Sequence, residues 1–378
     1  MRLSVETAET GGRDMPSPAS RSRSHKDGDN ALNAMPGAPE TQLRAETIEP
    51  AAGPVAPAQE DRRTGRSPGQ VAWDRLKNDK VAIICAAIIL FFILVAVFAP
   101  LLTSLQGTDP ITGTKPDPYS THTDLVDDNG YPIIGMNSAH WLGVEKGIGR
   151  DLFARWAYGA RPSLIIGFVA AALSTIIGVT MGLLAGYLGG VVDKAIGWLI
   201  DFMLSLPLLI LVIAAVPIVE LRFGERGSLS AAQTSDIRFW VIIAVLVLFG
   251  WMGLARLVRG EVKSLREREF VQAARAIGVP TRQILFREIL PNLVGPIIVS
   301  ASIAVPAFIT AEATLSFLGA GLVEPTASWG RTIADAQNSY ARYPLWLWPP
   351  VIGISLLVLA MTLLGDSIRD AFDPNTRR

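Results

Sequence analysis

Two carboxylates interrupt otherwise apolar runs of this 378-residue chain and are its first candidates for chemistry. Asp201 lies in the run 195–219, and Glu312 lies in the run 293–318. An ionised carboxylate is costly at the centre of a bilayer, so each must face protein, water or a partner. Both are therefore candidates for contact with a substrate or a gate. The alternative for each is structural, and for Asp201 it is a place at the membrane interface or an ion pair with Lys194.

Other residues that support catalysis or metal binding are few or badly spaced. The three histidines, His25, His122 and His140, stand outside the apolar runs, so we expect isolated surface or loop histidines and no metal site. Cys85 is the single cysteine, which excludes an intrachain disulfide. No lysine follows a glycine, so a phosphate-binding P-loop is absent. We expect neither an enzyme nor a bound cofactor.

The charged stretch 255–292, between two apolar runs, carries the most specific pattern in the chain. It contains eight Lys/Arg against four Asp/Glu. A short basic loop between two spans stays on the cytoplasmic side of the membrane, which predicts that this stretch faces the cytosol. Its apolar residues predict a partly apolar helical surface there; they are Val262, Leu265, Ala273, Ala274 and Ile277.

Helix signals indicate that the charged stretch is folded. Ser264 followed by Glu267 predicts a capping box at a helix start. Gly278 suits the left-handed conformation that ends a helix, and a proline two residues later prevents continuation. A second short helix over 282–290 is predicted to stop at Pro291.

This order of residues resembles the cytoplasmic coupling loop of binding-protein-dependent ABC importer permeases. In that family Glu-Ala-Ala, three further residues and Gly precede a downstream Leu-Pro. The matching residues here are Ala273, Ala274, Gly278, Leu290 and Pro291, with Gln272 where the family often has Glu. The resemblance implies that these six residues form the site that couples the membrane domain to an ATPase.

Further blocks narrow the resemblance to the dipeptide/oligopeptide/nickel permease family and to its second-subunit (C) type. Residues 149–161 resemble the stretch before that family's core, and 315–319, 328–330 and 364–374 resemble its C-terminal third. The resemblance implies four kinds of partner. These are a homologous second permease subunit, cytosolic ABC ATPase subunits, an extracytoplasmic solute-binding protein and a peptide substrate.

Six apolar segments are candidate membrane spans, since a helix needs about 20 such residues to cross a bilayer. They are 81–102, 162–188, 195–219, 239–255, 293–318 and 344–365. The predicted fold is therefore an all-α integral membrane protein with six transmembrane helices. Residues Arg75, Lys77 and Lys80 precede the first span and no Lys or Arg follows it until Lys115, so the N-terminus is predicted to be cytoplasmic. An even number of spans places the C-terminus there as well, in a bacterial inner membrane.

Composition divides the chain into four regions. Residues 1–72 are predicted to be a disordered cytoplasmic tail, since they are too polar to bury a core. Residues 73–102 form the first transmembrane helix, 103–161 an acid-leaning extracytoplasmic segment, and 162–372 the permease core with five spans and the coupling loop 256–292. In residues 1–80 twelve Lys/Arg balance twelve Asp/Glu, which gives no support for binding nucleic acid.

Three glycines in the second span, Gly178, Gly182 and Gly186, recur at every fourth position. Small residues on one stripe let helix backbones approach closely in lipid, which predicts a tight helix–helix contact. Ordinary enrichment of glycine in membrane helices is the alternative.

These observations predict a membrane permease subunit of an ATP-driven importer of di- or oligopeptides. An importer of nickel or saccharides remains an alternative within the same class. An ion-coupled secondary transporter, with Asp201 or Glu312 lining its translocation pathway, is a second alternative. A membrane scaffold that transports nothing is a third.

Overall fold

The computed structural model describes residues 68–224 and 228–373, and this part of the chain is built from helices and loops. The helices are α1 (Pro68–Asn78), α2 (Lys80–Val97), α3 (Ala99–Ser104), α4 (Leu152–Leu188), α5 (Gly190–Ser205), α6 (Leu208–Phe223), α7 (Ala231–Arg266), α8 (Glu269–Ala276), α9 (Thr281–Gln283), α10 (Leu290–Phe317), α11 (Trp329–Ala336) and α12 (Pro344–Phe372). A π-helical turn, Ile284–Ile289, joins α9 to α10.

Five helical segments are long and apolar enough to cross a membrane. They are Lys80–Val97, Leu152–Leu188, Ala231–Arg266, Thr281–Phe317 and Pro344–Phe372. The bent pair α5 and α6 makes a sixth when it is counted as one span. The predicted all-α membrane fold is confirmed, and each predicted span has its counterpart.

The third predicted span, 195–219, is wrong as one straight helix. It is divided into α5 and α6, which meet at an angle of 86°. Proline has no N–H to continue a helix and disfavours helical geometry in the residue before it, so Pro207 explains the break. Leu206 accordingly has extended backbone angles, φ −79° and ψ 132°.

Other spans extend beyond their apolar runs, α4 and α7 among them. α4 begins at Leu152 rather than at residue 162, because the Asp151 carboxylate caps it and accepts a hydrogen bond from Ala154 N at 2.6 Å. α7 continues to Arg266 rather than ending at residue 255. The added turns contain charged residues, Arg155 and Arg161 in α4 and five between 256 and 266 in α7, so a search for uncharged runs excluded these helix ends.

The capping box predicted at Ser264 and Glu267 is wrong. Ser264 lies in the last turn of α7, and Glu267 follows the end of that helix. The capping box of α7 stands at its start instead, where Ser230 and Gln233 exchange side-chain to backbone hydrogen bonds of 2.9 and 3.2 Å. The Ser-x-x-Glu pattern does not mark a helix start here, because α7 continues without a break into the charged stretch.

The glycine stripe of α4 forms the predicted close contact. A Cβ added to Gly178, Gly182 or Gly186 would lie 2.8–2.9 Å from a carbonyl oxygen of α7, closer than real Cβ atoms come. Any side chain at these positions would therefore force α4 and α7 apart. The prediction of a tight helix–helix contact is confirmed.

α1 connects the start of the described chain to its end. The helix begins at Pro68, so residues 68–72 of the predicted tail are helical, and residues 1–67 lie outside the described part. Arg75 Nη1 donates hydrogen bonds to Ala371 O at 3.2 Å and to Asp373 O at 2.9 Å. These bonds hold α1 against the C-terminal end of α12.

Candidate functional site

α8 ends where the sequence predicts. Gly278 has φ +79°, the left-handed conformation that glycine adopts at least cost. Gly278 N donates to Arg275 O and Val279 N donates to Ala274 O, both at 3.0 Å. This pair of bonds is the Schellman motif, which satisfies the last carbonyl groups of a helix. The predicted role of Gly278 in ending the helix is confirmed.

One face of α8 packs into the membrane bundle. Val271 is fully buried there. The cluster around it, called the inner cluster below, joins α4, α7, the π-helical turn and α10. It consists of Leu183, Tyr187, Val258, Val262, Val271, Ile284, Leu285, Ile289 and Leu293. Because protein interiors are close-packed, a displacement of α8 must be transmitted to these helices.

Polar contacts also bind α8 and the end of α7 to Tyr187, at the end of α4. Arg275 Nε donates to Tyr187 Oη at 3.2 Å, and the Arg275 guanidinium lies 4.5 Å from the centre of the Tyr187 ring. Arg266 Nη1 donates to the Tyr187 carbonyl oxygen at 3.3 Å. The end of α4 is thus bonded both to α8 and to the last turn of α7.

The opposite face of α8 is open. Phe270, Gln272 and Ala273 are exposed, and Ile277 is 80% exposed. Ala274 is half-buried, because it packs against the inner cluster. Exposed apolar side chains grouped on one short helix are typical of a surface that another protein covers.

Two residues predicted on this open face lie elsewhere. Val262 is fully buried, and Leu265 packs against the inner cluster. Both belong to α7, whose last turns face the bundle, so their placement on the surface was wrong. Phe286 of the π-helical turn was not predicted and is 56% exposed. Phe270, Gln272, Ala273, Ile277 and Phe286 are called the α8 surface below.

A groove of about 450 Å³ adjoins the α8 surface. It is lined by Pro280, Arg282, Gln283, Phe286 and Arg287. Among the described residues neither Arg282 nor Arg287 has an ion-pair partner. The groove therefore offers an aromatic side chain beside two cations.

The helix end predicted at Pro291 is wrong. Leu290 and Pro291 are the first residues of α10, and the chain is helical from Thr281 to Phe317. The π-helical turn before Pro291 has a wider backbone, and such turns accommodate a residue that cannot donate to the regular helix pattern. Leu290 packs against the inner cluster, and Pro291 is exposed.

Asp201 is bonded to α7. Its carboxylate lies 2.6 Å from Arg256 Nη2, so its ion pair is with Arg256 and not with Lys194. Both side chains are more than half exposed. Asp193, about two turns earlier in α5, accepts hydrogen bonds from Arg259 and, at 2.7 Å, from Lys263. α5 is thereby attached to the same end of α7 as α8.

Glu312 is fully buried between three helical elements. Its carboxylate accepts hydrogen bonds from Ser163 Oγ of α4 at 2.6 Å, Ser316 Oγ at 2.8 Å and Ser328 Oγ before α11 at 3.1 Å. A buried carboxylate is tolerated when such donors satisfy it. All three donors come from the chain itself, and the carboxylate holds α4, α10 and α11 together.

His140 is not the isolated loop histidine that the sequence suggested. It is 1% exposed, its Nδ1 lies 2.8 Å from Asp151 Oδ2, and its Nε2 lies 3.0 Å from Asp109 Oδ2. Burial alone would lower the pKa of His140, but the hydrogen bonds and charges of Asp151 and Asp109 hold it above its ordinary value. No pattern in the sequence indicated this cluster, because Asp151 and Asp109 lie 11 and 31 positions from His140 along the chain.

A second buried cluster lies beside this histidine. Arg150 bonds Glu145 at 2.5 Å and Glu324 at 2.7 Å, and Arg155 of α4 bonds Glu324 at 2.8 Å. Burial raises the pKa of Glu145, whereas Arg155 and Arg150 outweigh burial at Glu324 and lower its pKa. Together the two clusters attach the loop 105–151 to the start of α4 and to the loop before α11.

Family models match most of the described chain. Residues 178–378 match the binding-protein-dependent transport system inner membrane component. Residues 67–129 match the N-terminal transmembrane domain of oligopeptide transport permease C. The first match includes the α8 surface, and the second includes α1 to α3.

Curated proteins resemble the chain over nearly their whole length. The dipeptide transport system permease protein of Alkalihalophilus pseudofirmus is 38% identical over 86% of this chain and 95% of its own. The oligopeptide transport system permease proteins of Bacillus subtilis and Mycobacterium tuberculosis are 33% and 36% identical, over 88% and 80% of this chain and 97% and 92% of theirs. With the fold and the coupling-loop pattern in agreement, the chain belongs to the binding-protein-dependent ABC transporter permeases, in the dipeptide/oligopeptide permease family.

Proposed function

We propose that this chain is one of two membrane subunits of an ATP-driven importer of dipeptides or oligopeptides. Relatives that match most of the chain are permease proteins of dipeptide and oligopeptide transport systems. The chain has no P-loop, so ATP hydrolysis is assigned to separate ABC ATPase subunits. A homologous second permease subunit and an extracytoplasmic solute-binding protein complete the proposed complex.

The proposed orientation rests on the distribution of charge. The basic stretch 255–292 and the basic residues before α2 belong on the cytoplasmic side of a bacterial inner membrane, with both termini. The loop 105–151 and α11 then face outward. In this orientation the α8 surface is presented to the cytosol.

The α8 surface is the proposed docking site for an ATPase subunit. The single observation that carries this is the two-sided character of α8: Ile277 is 80% exposed, while Val271 on the other side is fully buried in the bundle. Gln272 and Ala273 contact the ATPase in this account. Ala274 and Leu290 pack inward, Gly278 sets the angle of the helix, and Pro291 lies at the joint with α10.

This arrangement supports a mechanical route from ATP to transport. Closure of the ATPase dimer displaces α8, and the inner cluster passes that displacement to α4, α7 and α10. The bundle then re-packs and exposes its interior to the other side of the membrane. Glu312 and Asp201 are assigned to holding helices together, because protein groups satisfy both carboxylates.

The test exchanges one exposed apolar residue for a charge. Ile277→Glu places a carboxylate in the proposed interface, and burying an unpaired charge there is strongly unfavourable. We expect ATPase binding in a pull-down and peptide uptake in proteoliposomes to fall on the order of tenfold or more. Val191→Glu is the matched control, since Val191 is 82% exposed at the start of α5 and lies outside the α8 surface. Wild-type uptake with Ile277→Glu would contradict the proposed docking.

A further inference from the structure

A cavity of about 250 Å³ lies between α4, α7 and α10 near the middle of each helix. α4 contributes Ser174 and Thr175, and α10 contributes Ser300 and Ile303. α7 contributes Gly250, Gly253 and Leu254 near its own midpoint. Three hydroxyl-bearing residues, Ser174, Thr175 and Ser300, thus line one cavity in the middle of the bundle.

These hydroxyl groups differ from others on the same helices. Thr180 Oγ1 donates to Ile176 O at 2.7 Å and Ser302 Oγ donates to Val299 O at 2.8 Å, the usual local bonds of helical hydroxyls. Ser174 Oγ is buried, with the residue 3% exposed, and has no hydrogen-bond partner. The side chains of Thr175 and Ser300 likewise form no hydrogen bond within the described part of the chain.

The unpaired Ser174 hydroxyl requires an explanation, because a buried polar group without a partner costs free energy, and the half-buried Thr175 and Ser300 lie at the same cavity. Their common position at one cavity indicates that the partner is an occupant of the cavity. An acyl chain of a lipid could not satisfy them. The occupant must carry hydrogen-bond donors or acceptors.

The glycines determine the shape of the cavity. A Cβ on Gly250 would lie 2.7 Å from Ser174 Oγ and 2.3 Å from Phe308 Cζ, so this glycine allows close packing at the cavity wall. A Cβ on Gly253 would meet nothing within 4 Å. Gly253 and Ile303 are both exposed, so the cavity is open on their side of the bundle.

The volume distinguishes a ligand site from a water site. A water molecule occupies about 30 Å³ in the liquid, so the cavity is much larger than one buried water requires. Complete small-molecule sites measure about 300–1,000 Å³. A slightly smaller cavity that opens on one side is therefore suited to be one wall of a site whose other walls lie beyond the opening.

We infer that Ser174, Thr175 and Ser300 form one wall of a mid-membrane binding site for the main-chain amide groups of a peptide in transit. Amide groups both donate and accept, and every peptide carries them whatever its side chains, which suits a site that must accept many sequences. The inference rests on the proposed function and specifies where in this subunit the substrate binds.

The test uses the complete complex in proteoliposomes with trialanine as the probe. One variant combines Ser174→Ala, Thr175→Val and Ser300→Ala, and its matched control combines Thr180→Val and Ser302→Ala. A hydrogen bond lost from each position weakens binding about fivefold, so we expect uptake to fall on the order of tenfold or more. Complex assembly and ATP hydrolysis should stay near wild-type values, and the control should transport normally.

A filling variant tests the same site without removing any hydroxyl group. Gly253→Leu extends a side chain into the open cavity and should abolish uptake while ATP hydrolysis continues. Gly260→Leu is its control, since a Cβ there also meets nothing within 4 Å and Gly260 does not line the cavity. Uptake equal to wild type in both the hydroxyl and the filling variants would overturn the site and leave a water-filled space only. A wild-type complex that hydrolyses ATP but transports no peptide would instead refute the proposed function.

Discussion

At the scale of single residues, glycine is required at position 278 because of its backbone conformation. Its φ of +79° is strained for any residue with a side chain, and most of all for a β-branched one. No neighbouring atom lies within 4 Å of an added Cβ, so strain and not crowding within this chain decides the outcome. The sequence revealed this residue because Gly followed by a nearby Pro is a helix-end signal. It could not reveal His140, whose partners Asp109 and Asp151 come from distant positions.

The effect of substituting Gly278 on stability and on ATP hydrolysis should therefore depend on the backbone preference of the new residue. Gly278→Val should cost about 1–2 kcal/mol at the end of α8 and reduce peptide-stimulated ATP hydrolysis, with the membrane helices still inserted. Gly278→Asn should stay near wild type, since Asn tolerates this conformation. Equal behaviour of the two variants in the ATPase assay would argue against the Schellman end as a functional element.

At the scale of elements, the loop 105–151 is held on α4 by His140, which lies between Asp109 and Asp151. Asp151 Oδ1 and Asp109 Oδ1 each accept a further hydrogen bond, from Ala154 N and from Thr112 N. The Oδ2 atoms face the two ring nitrogens of His140, and their charge and hydrogen bonds outweigh burial in favouring the imidazolium form. Hydropathy predicted the spans, but it did not indicate this attachment, nor the bend at Pro207 within a run whose only charged residue is Asp201.

The stability of the loop should therefore depend on pH. The pKa of His140 is raised in the fold, so its contribution is complete below the ordinary value of 6.5 and is lost as pH rises through the raised pKa. Proteolysis of the loop in the purified complex should accelerate over that range in the wild type. His140→Asn should remove this dependence, and His122→Asn, in the same loop, should keep it. An unchanged pH profile in His140→Asn would show that another group is responsible.

At the scale of the whole molecule, α8 has a buried face and an exposed face on opposite sides. The inner cluster ties α8 to three membrane helices, and the α8 surface leaves Ile277 and its neighbours uncovered. The exposure of Gln272 and Ala273 and the helix end at Gly278 agree with what the sequence predicted, and their role in coupling stays a prediction. The sequence pattern placed Val262 and Leu265 wrongly, because the length of α7 depends on packing against α4 and not on the apolar run alone.

Photo-crosslinking at Ile277 tests directly whether an ATPase subunit docks on the α8 surface. A photoreactive phenylalanine analogue is placed at Ile277 or, as the control, at Val191, and the complex is irradiated in intact cells. We predict a covalent product between Ile277 and a P-loop ATPase subunit that is absent or weak from Val191, and that changes in yield when ATP is trapped. Crosslinks from Ile277 to lipid alone, or to an extracytoplasmic protein, would contradict both the orientation and the assignment of α8 as the coupling element.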